Sequence, residues 1–206
     1  MEFFQKIIII TGHYGAGKTN FAVNLALHLA ESGKSVTVAD LDIVNPYFRT
    51  ADFRELFAGK GIKLAVSDYA GSRSSVDVPS LNLNVKGEVS QCDHLIIDVG
   101  GDKEGARALG RFVPDITEIG YEMIYVINKY RYLTQQAGQA VEVMKQIETM
   151  SGLKCTMLLN NSHLCSETTD EIVAESVPFG KEVAEITGLP LLEMPVEVYV
   201  KPVWQI

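Results

Sequence analysis

The sequence predicts a single α/β domain in which a mostly parallel, twisted β-sheet is flanked by helices on both faces. Short apolar runs rich in β-branched residues recur along the chain, and segments with apolar residues at helical spacing separate them. Strands that alternate with helices in this way form parallel sheets through right-handed crossovers. The length of 206 residues and the hydrophobic fraction of 47% suit one domain with a sizeable core. We find no internal repeat or linker-like stretch, so residues 1–206 are expected to form one domain.

The first half of the chain contains the clearest strands. Ile7 to Ile10 are apolar on both faces, as a buried parallel strand requires. The helix that follows, from Asn20 to Glu31, is expected to end before Gly33, which suits a C-terminal cap. The remaining predicted elements of this half are strands at 35–39, 62–66 and 94–98 and a helix at 50–59.

The second half continues the alternation. Apolar residues at helical spacing predict a helix over 134–150, and proline is expected to interrupt a helical segment over 170–187 near Pro178. The other predicted elements are a helix from 102 towards 112 and strands at 123–128, 154–159 and 189–194.

Between these halves, residues 67–84 mix Gly, Ser, Asp and Pro with scattered apolar residues. This composition is typical of a loop, and we interpret it as a substrate or partner loop. Arg73 in this stretch has two interpretations, a phosphate contact or a solvated arginine, and the second is the commoner case.

The strongest motif is the run of residues 12–19, GHYGAGKT, which matches the phosphate-binding pattern G-x-x-x-x-G-K-T. A strand precedes it and a helix follows, so backbone N–H groups and a helix N-terminus would surround an anionic phosphate. In this pattern Lys18 places a positive charge between the β- and γ-phosphates, and the Thr19 hydroxyl is offered to Mg²⁺. The fold prediction thereby becomes a single P-loop nucleotide-binding domain. The residues expected to bind the nucleotide here are Gly12, His13, Tyr14, Gly15, Ala16, Gly17, Lys18, Thr19 and Asn20.

Acidic residues follow two of the predicted strands. Asp40 and Asp42 follow the strand over 35–39, and carboxylates at the carboxyl end of such a strand lie where ligands bind in open α/β sheets. The alternative interpretation is a solvated acidic turn. Asp98 ends the strand over 94–98, which suits an aspartate that holds Mg²⁺ directly or through water. Gly101 follows at D-x-x-G spacing, and its N–H can sense a γ-phosphate. Asp102 fits a helix N-cap better than a catalytic base.

Charge and cysteine content exclude several classes of protein. A net charge of -8 is unsuited to coating nucleic acid, so no nucleic-acid partner is expected. Three cysteines without a C-x-x-C spacing favour a reducing compartment and argue against a disulfide framework or a zinc or iron–sulfur site within the chain. With no secretory signal and no apolar run long enough to span a bilayer, we expect a cytoplasmic protein without a membrane partner.

With these motifs, the chain resembles the MinD/ParA-like group of P-loop NTPases, also called the CobQ/CobB/MinD/ParA nucleotide-binding family. The resemblance implies binding of ATP or ADP with Mg²⁺ and a homodimer that forms face to face across two nucleotides. It also implies roles for individual residues: Asp40 and Asp98 near Mg²⁺ with Thr19, and Asp42 positioning the attacking water. Asn160, with Asn161 as the alternative register, would contact the adenine, and Lys18 and Asp42 would be the catalytic pair.

The chain departs from the family at the second position of the loop. The family usually has a lysine there that reaches the partner subunit's phosphates, whereas this chain has His13, followed by Tyr14 where glycine is usual. Histidine is mostly neutral at pH 7 and supplies less charge to a transition state. The resemblance therefore implies a slow ATPase that acts as a molecular switch or maturation factor on a protein client. The alternatives are an ATP-dependent kinase or ligase of the dethiobiotin synthetase type, and a nucleotide-binding regulatory module without catalysis.

Overall fold

The computed structural model describes residues 5–41, 50–65, 83–101 and 103–192. The predictions made for Asp42, Arg73, Asp102 and the end of the last strand lie outside these residues. In the part of the chain that is described, no helix is long and apolar enough to cross a bilayer.

The described residues form a six-stranded, wholly parallel sheet in the order β3-β2-β4-β1-β5-β6. The fold prediction is confirmed. The strands are β1 (Ile7–Gly12), β2 (Val36–Asp40), β3 (Lys63–Ala65), β4 (His94–Asp98), β5 (Tyr121–Ile127) and β6 (Met157–Asn160). Because β1 lies between β4 and β5, its carboxyl end meets loops from both halves of the sheet.

Helices connect and cover these strands. They are α1 (Lys18–Glu31), α2 (Arg54–Gly59), α3 (Val85–Gln91), α4 (Lys103–Leu109), α5 (Val113–Ile119), α6 (Ala137–Ser151) and α7 (Asp170–Thr187), with short 3₁₀ segments at Thr50–Phe53, Gly110–Phe112 and Cys165–Glu167. The prediction did not include α3 and α5. Asn84 caps α3 by accepting a hydrogen bond from the Gly87 N–H at 2.9 Å, and a proline lies in the first turn of α5. Both are ordinary helix starts.

The core consists of two apolar layers, one on each face of the sheet. Ile8 and Ile10 of β1 pack in a layer with apolar residues of α1 and α2. Ile7 and Ile9 point the other way, into a layer with residues of α3 to α7. The alternation follows from the two-residue period of a strand, and it decides on which side of the sheet each strand-end side chain lies.

The predicted interruption of the last helix at Pro178 is wrong, because α7 runs from Asp170 to Thr187 with the proline inside it. Proline removes one intrahelical hydrogen bond. Side chains outside the helix bond to carbonyl groups in the turns before it. Tyr130 Oη donates to Ile172 O at 2.8 Å and Lys129 Nζ donates to Glu175 O at 3.2 Å. We infer that these bonds and the burial of the next turn offset the loss.

The predicted last strand is reduced within the described residues to a single bridge between Leu158 and Leu191. The strand predicted over 154–159 begins later, at Met157, and the strand predicted to begin at 123 begins earlier, at Tyr121. These shifts leave the carboxyl ends of the strands, where the site lies, close to their predicted positions.

Candidate functional site

The loop between β1 and α1 forms a tight turn that is held by its own backbone. The Ala16 N–H donates to His13 O at 3.1 Å, and Gly15 and Gly17 have φ angles of +75° and +89°. Left-handed angles of this kind disfavour residues with a Cβ. The loop therefore presents a curved backbone of the kind that binds phosphate oxygens through N–H groups.

Asn161 and Asn160 lie on opposite sides of the sheet. The Asn161 amide is buried beneath the loop and donates to Ala16 O at 2.8 Å, and a Cβ at Gly17 would overlap this amide. The Asn160 amide turns towards α7, where it donates to the carbonyl and hydroxyl oxygens of Ser176, each at 3.1 Å. Of the two register alternatives, Asn161 is therefore the residue on the side of the P-loop.

The oxygen ligands predicted for a metal ion come together at the ends of β2 and β4. Thr19 Oγ1 donates to Asp98 Oδ2 at 2.8 Å, and the Asp98 side chain is almost fully buried. Asp40 is the register partner of Asp98 in the parallel β2–β4 pair, so both carboxylates leave the sheet on the same side. Hard oxygen donors of this type suit Mg²⁺, which is commonly held by one or two carboxylates together with phosphate and water. Among the described residues no three His, Cys, Asp or Glu side chains form a metal cluster.

Lys18 lies inside the loop. Its Nζ donates to His13 O at 3.3 Å, and only 6% of the residue is exposed. A Cβ at Gly101 would be 2.7 Å from this Nζ and 2.6 Å from the Tyr14 backbone nitrogen. Glycine at 101 therefore leaves room for the lysine and for the close approach of the segment after β4 to the P-loop.

His13 lies at the surface of the loop, with its Nδ1 3.0 Å from Tyr14 O. Partial burial lowers the pKa of His13 below its usual value, the bond with the Tyr14 carbonyl opposes this, and the charges of Lys18 and Arg131 lower it further. The neutral imidazole is thus favoured.

Sequence reasoning missed the segment after β5. Arg131 lies against Gly15, where an added Cβ would be 3.2 Å from its Nε. Asn128 holds the neighbouring loop by donating to His163 O at 3.3 Å, and burial followed by the Arg131 charge lowers the pKa of His163. The available signal was that this segment follows the strand predicted over 123–128, because ligands in open α/β sheets bind at the carboxyl ends of strands.

Comparison of the structure with solved structures identifies the fold. FtsY from Mycoplasma mycoides has a TM-score of 0.61 at 18% identity, and the match covers 97% of this chain and 67% of the FtsY chain. The cell division protein FtsY from Thermotoga maritima has a TM-score of 0.60 at 18% identity, and the match covers 96% of this chain and 67% of that protein. The chain has the P-loop NTPase fold. The signal recognition particle 54 kDa protein from Aeropyrum pernix, solved in complex with GDP, has a TM-score of 0.56 at 16% identity. This match covers 93% of this chain and 41% of that protein. The chain spans between 41% and 67% of the lengths of these three relatives.

The sequence itself is matched at its N-terminal end. Residues 2–51 match the ParA family model described as NUBPL iron-transfer P-loop NTPase. This match confirms the resemblance to MinD/ParA-like proteins for the segment that contains the P-loop. The matched segment contains the P-loop, and all three cysteines lie beyond it. No curated protein matches the sequence.

Proposed function

We propose that the protein is a Mg²⁺-dependent ATP-binding switch that hydrolyses ATP slowly and acts on a protein partner. The observation that carries this proposal is the convergence of three groups at the end of β1. The P-loop backbone, the Lys18 amine and the Thr19–Asp98 pair lie together there. They provide N–H donors, a positive charge and oxygen ligands, which are the groups that a nucleoside triphosphate with Mg²⁺ requires.

The carboxylate side of the site fits Mg²⁺. Thr19 and Asp98 would hold the ion, with Asp40 beside them, and the ion would neutralise charge on the phosphates when bound. The hydrogen bond between Thr19 and Asp98 already sets the direction of both side chains. Asp42, as the residue proposed to orient the attacking water, follows directly in the chain after the end of β2 and Leu41.

Slow turnover and a dimer are the finer parts of the proposal. Neutral His13 supplies little charge, which supports a slow basal rate. Tyr14 in the loop and Tyr132 and Leu133 after β5 are large apolar residues with 60%, 79% and 50% exposure. Exposed apolar residues beside a ligand site often mark a contact surface, and a second copy facing the nucleotide would cover them. The client protein would bind the same face or its rim, where it can sense the nucleotide.

The base is proposed to be adenine, which the family resemblance implies. The alternative is guanine, because FtsY from Elizabethkingia anophelis and the Aeropyrum pernix protein were solved with GDP. Asn161, on the P-loop side of the sheet, is the residue of the Asn160–Asn161 pair that we propose for the base side of the site.

Calorimetry separates these possibilities. We expect Mg²⁺·ADP to bind at a 1:1 ratio per chain and at least tenfold more tightly than Mg²⁺·GDP. Tighter binding of GDP would reassign the protein as a guanine-nucleotide switch, and no binding of either would refute the proposed function.

A turnover assay with ATP alone then distinguishes the classes of protein. A switch shows slow hydrolysis without any second substrate. A kinase or ligase hydrolyses ATP only when its second substrate is present, and a regulatory module binds the nucleotide without turnover.

A further inference from the structure

The side chain of Arg131 lies across the middle of the P-loop. An ideal Cβ placed on Gly15 would be 3.2 Å from Arg131 Nε, 3.4 Å from Cζ and 3.5 Å from Cδ. The contact therefore runs along the planar end of the side chain. Because P-loop N–H groups surround the phosphates of a bound nucleotide, a guanidinium at this place is within reach of them.

Backbone hydrogen bonds hold the Arg131 segment in position. The Arg131 N–H donates to Asn128 O at 3.2 Å, and the Thr134 N–H donates back to Arg131 O at 3.1 Å. The Thr134 hydroxyl is buried and bonds to Asn128 O at 3.0 Å. None of these bonds uses the arginine side chain, so a substitution at 131 leaves the turn intact.

The guanidinium lacks a strong acceptor in the described part of the protein. Its Nε is buried without a hydrogen-bond partner, and its Nη2 meets only the Cys165 sulfur, at 3.8 Å. Among the described residues no carboxylate forms an ion pair with it. Thiol sulfur is a weak acceptor, and a partly buried cation is costly without a counter-charge. Arg131 lies near His13 and His163, and Lys18 also lies near His13, so an anion suits this position.

We propose that Arg131 is an arginine finger in cis: it contacts the γ-phosphate and stabilises the charge that develops on it during hydrolysis. It supplies from within the chain the charge that His13 does not. In the reaction the bond from the γ-phosphorus to the β–γ bridging oxygen breaks, and its electron pair stays on ADP. A bond forms to the water oxygen, giving inorganic phosphate and one released proton. This inference rests on the proposed function.

The test uses the full chain and compares Mg²⁺·ADP binding with and without tetrafluoroaluminate, which mimics the transferring phosphoryl group. In the wild type, tetrafluoroaluminate is expected to tighten the complex. Arg131→Gln is expected to lose about 100- to 1,000-fold of that tightening, while its affinity for ADP alone stays close to the wild-type value. Arg131→Lys is expected to recover part of the loss, because lysine keeps the charge without the planar fork.

Lys129→Gln is the matched control. It removes the same charge two residues away, but Lys129 Nζ bonds to Glu175 O on α7 and lies over the Tyr130 ring. We expect both affinities to stay at the wild-type values in this variant.

Each other outcome overturns the inference. If tetrafluoroaluminate does not tighten ADP binding in the wild type, or if Arg131→Gln retains the full effect, Arg131 is not a finger, while nucleotide binding stands. Equal weakening of both complexes would make Arg131 a ground-state ligand only. Absence of ADP binding in the wild type would refute the proposed function itself, and this inference with it.

Discussion

Replacing Gly17 by alanine tests the packing between the P-loop and the loop after β6. Gly17 has φ +89°, and its Cβ would overlap the Asn161 amide and lie 3.1 Å from His163 Nε2. The matched control is Gly33→Ala, since Gly33 has φ +81° but nothing within 4 Å of its Cβ position. Both variants force alanine into a left-handed conformation, and only Gly17→Ala also displaces a neighbouring side chain.

The expected magnitudes follow from these contacts. The left-handed conformation costs about 1–2 kcal/mol in each variant. In Gly17→Ala the Asn161 amide must also leave Ala16 O, its partner at 2.8 Å. Loss of a buried hydrogen-bond partner adds about 1–3 kcal/mol, so Gly17→Ala should cost about 2–5 kcal/mol in total. The difference between the two variants corresponds to about 2–12 °C in melting temperature for a chain of this size.

Urea unfolding without nucleotide measures both costs. Adding Asn161→Ala removes the displaced amide, so in that background Gly17→Ala should cost only about the strain of 1–2 kcal/mol. The reasoning is refuted if Gly17→Ala is no more destabilising than Gly33→Ala, or if Asn161→Ala leaves the cost of Gly17→Ala unchanged.

Three further predictions concern charge at the site. Asp42→Ala should leave Mg²⁺·ATP affinity within about threefold while turnover stops, because water is positioned mainly in the transition state; full turnover would move that role elsewhere. His13→Lys should raise the rate of ATP hydrolysis, because lysine is charged where His13 is mostly neutral, and identical rates for wild type, His13→Ala and His13→Lys would contradict this. The pKa values of His13 and His163 are both lowered in the folded protein. Their contribution to the unfolding free energy is therefore present above the unfolded pKa of about 6.5 and lost as pH falls through the folded pKa values. Urea titrations should show this loss weakened in His13→Gln and His163→Gln, and an unchanged slope would be evidence against it.

The parts of the fold that depend on local pattern could be predicted from the sequence. Ile7 to Ile10 are apolar on both faces, and such a strand can only be central. The position of Asp98 beside Thr19 also followed, because a strand end and a P-loop share one edge of the sheet. These predictions needed only the period of the strand and the residue types.

Predictions that depend on tertiary contact were less accurate. Pro178 disfavours a continuous helix locally, and the side chains that bond to the turns before it, Tyr130 and Lys129, are about 50 residues away in the sequence. The distinction between Asn160 and Asn161 requires the final register of β6, which the sequence places only to within a few residues. Arg131 belongs to no motif, and its place against Gly15 depends on the turn held by Thr134.

The measurement that tests the central claim most directly is calorimetric titration of Mg²⁺·ATP into the wild type and Lys18→Ala. Lys18 lies within the loop, bonded to His13 O and next to Gly101. If the loop binds phosphate, the wild type should bind one nucleotide per chain, and Lys18→Ala should lose binding while its thermal unfolding remains cooperative. Lys129 directs its charge at α7, where it donates to Glu175 O, so Lys129→Ala should bind the nucleotide as the wild type does. Equal affinity in wild type and Lys18→Ala would show that the loop is not the nucleotide site.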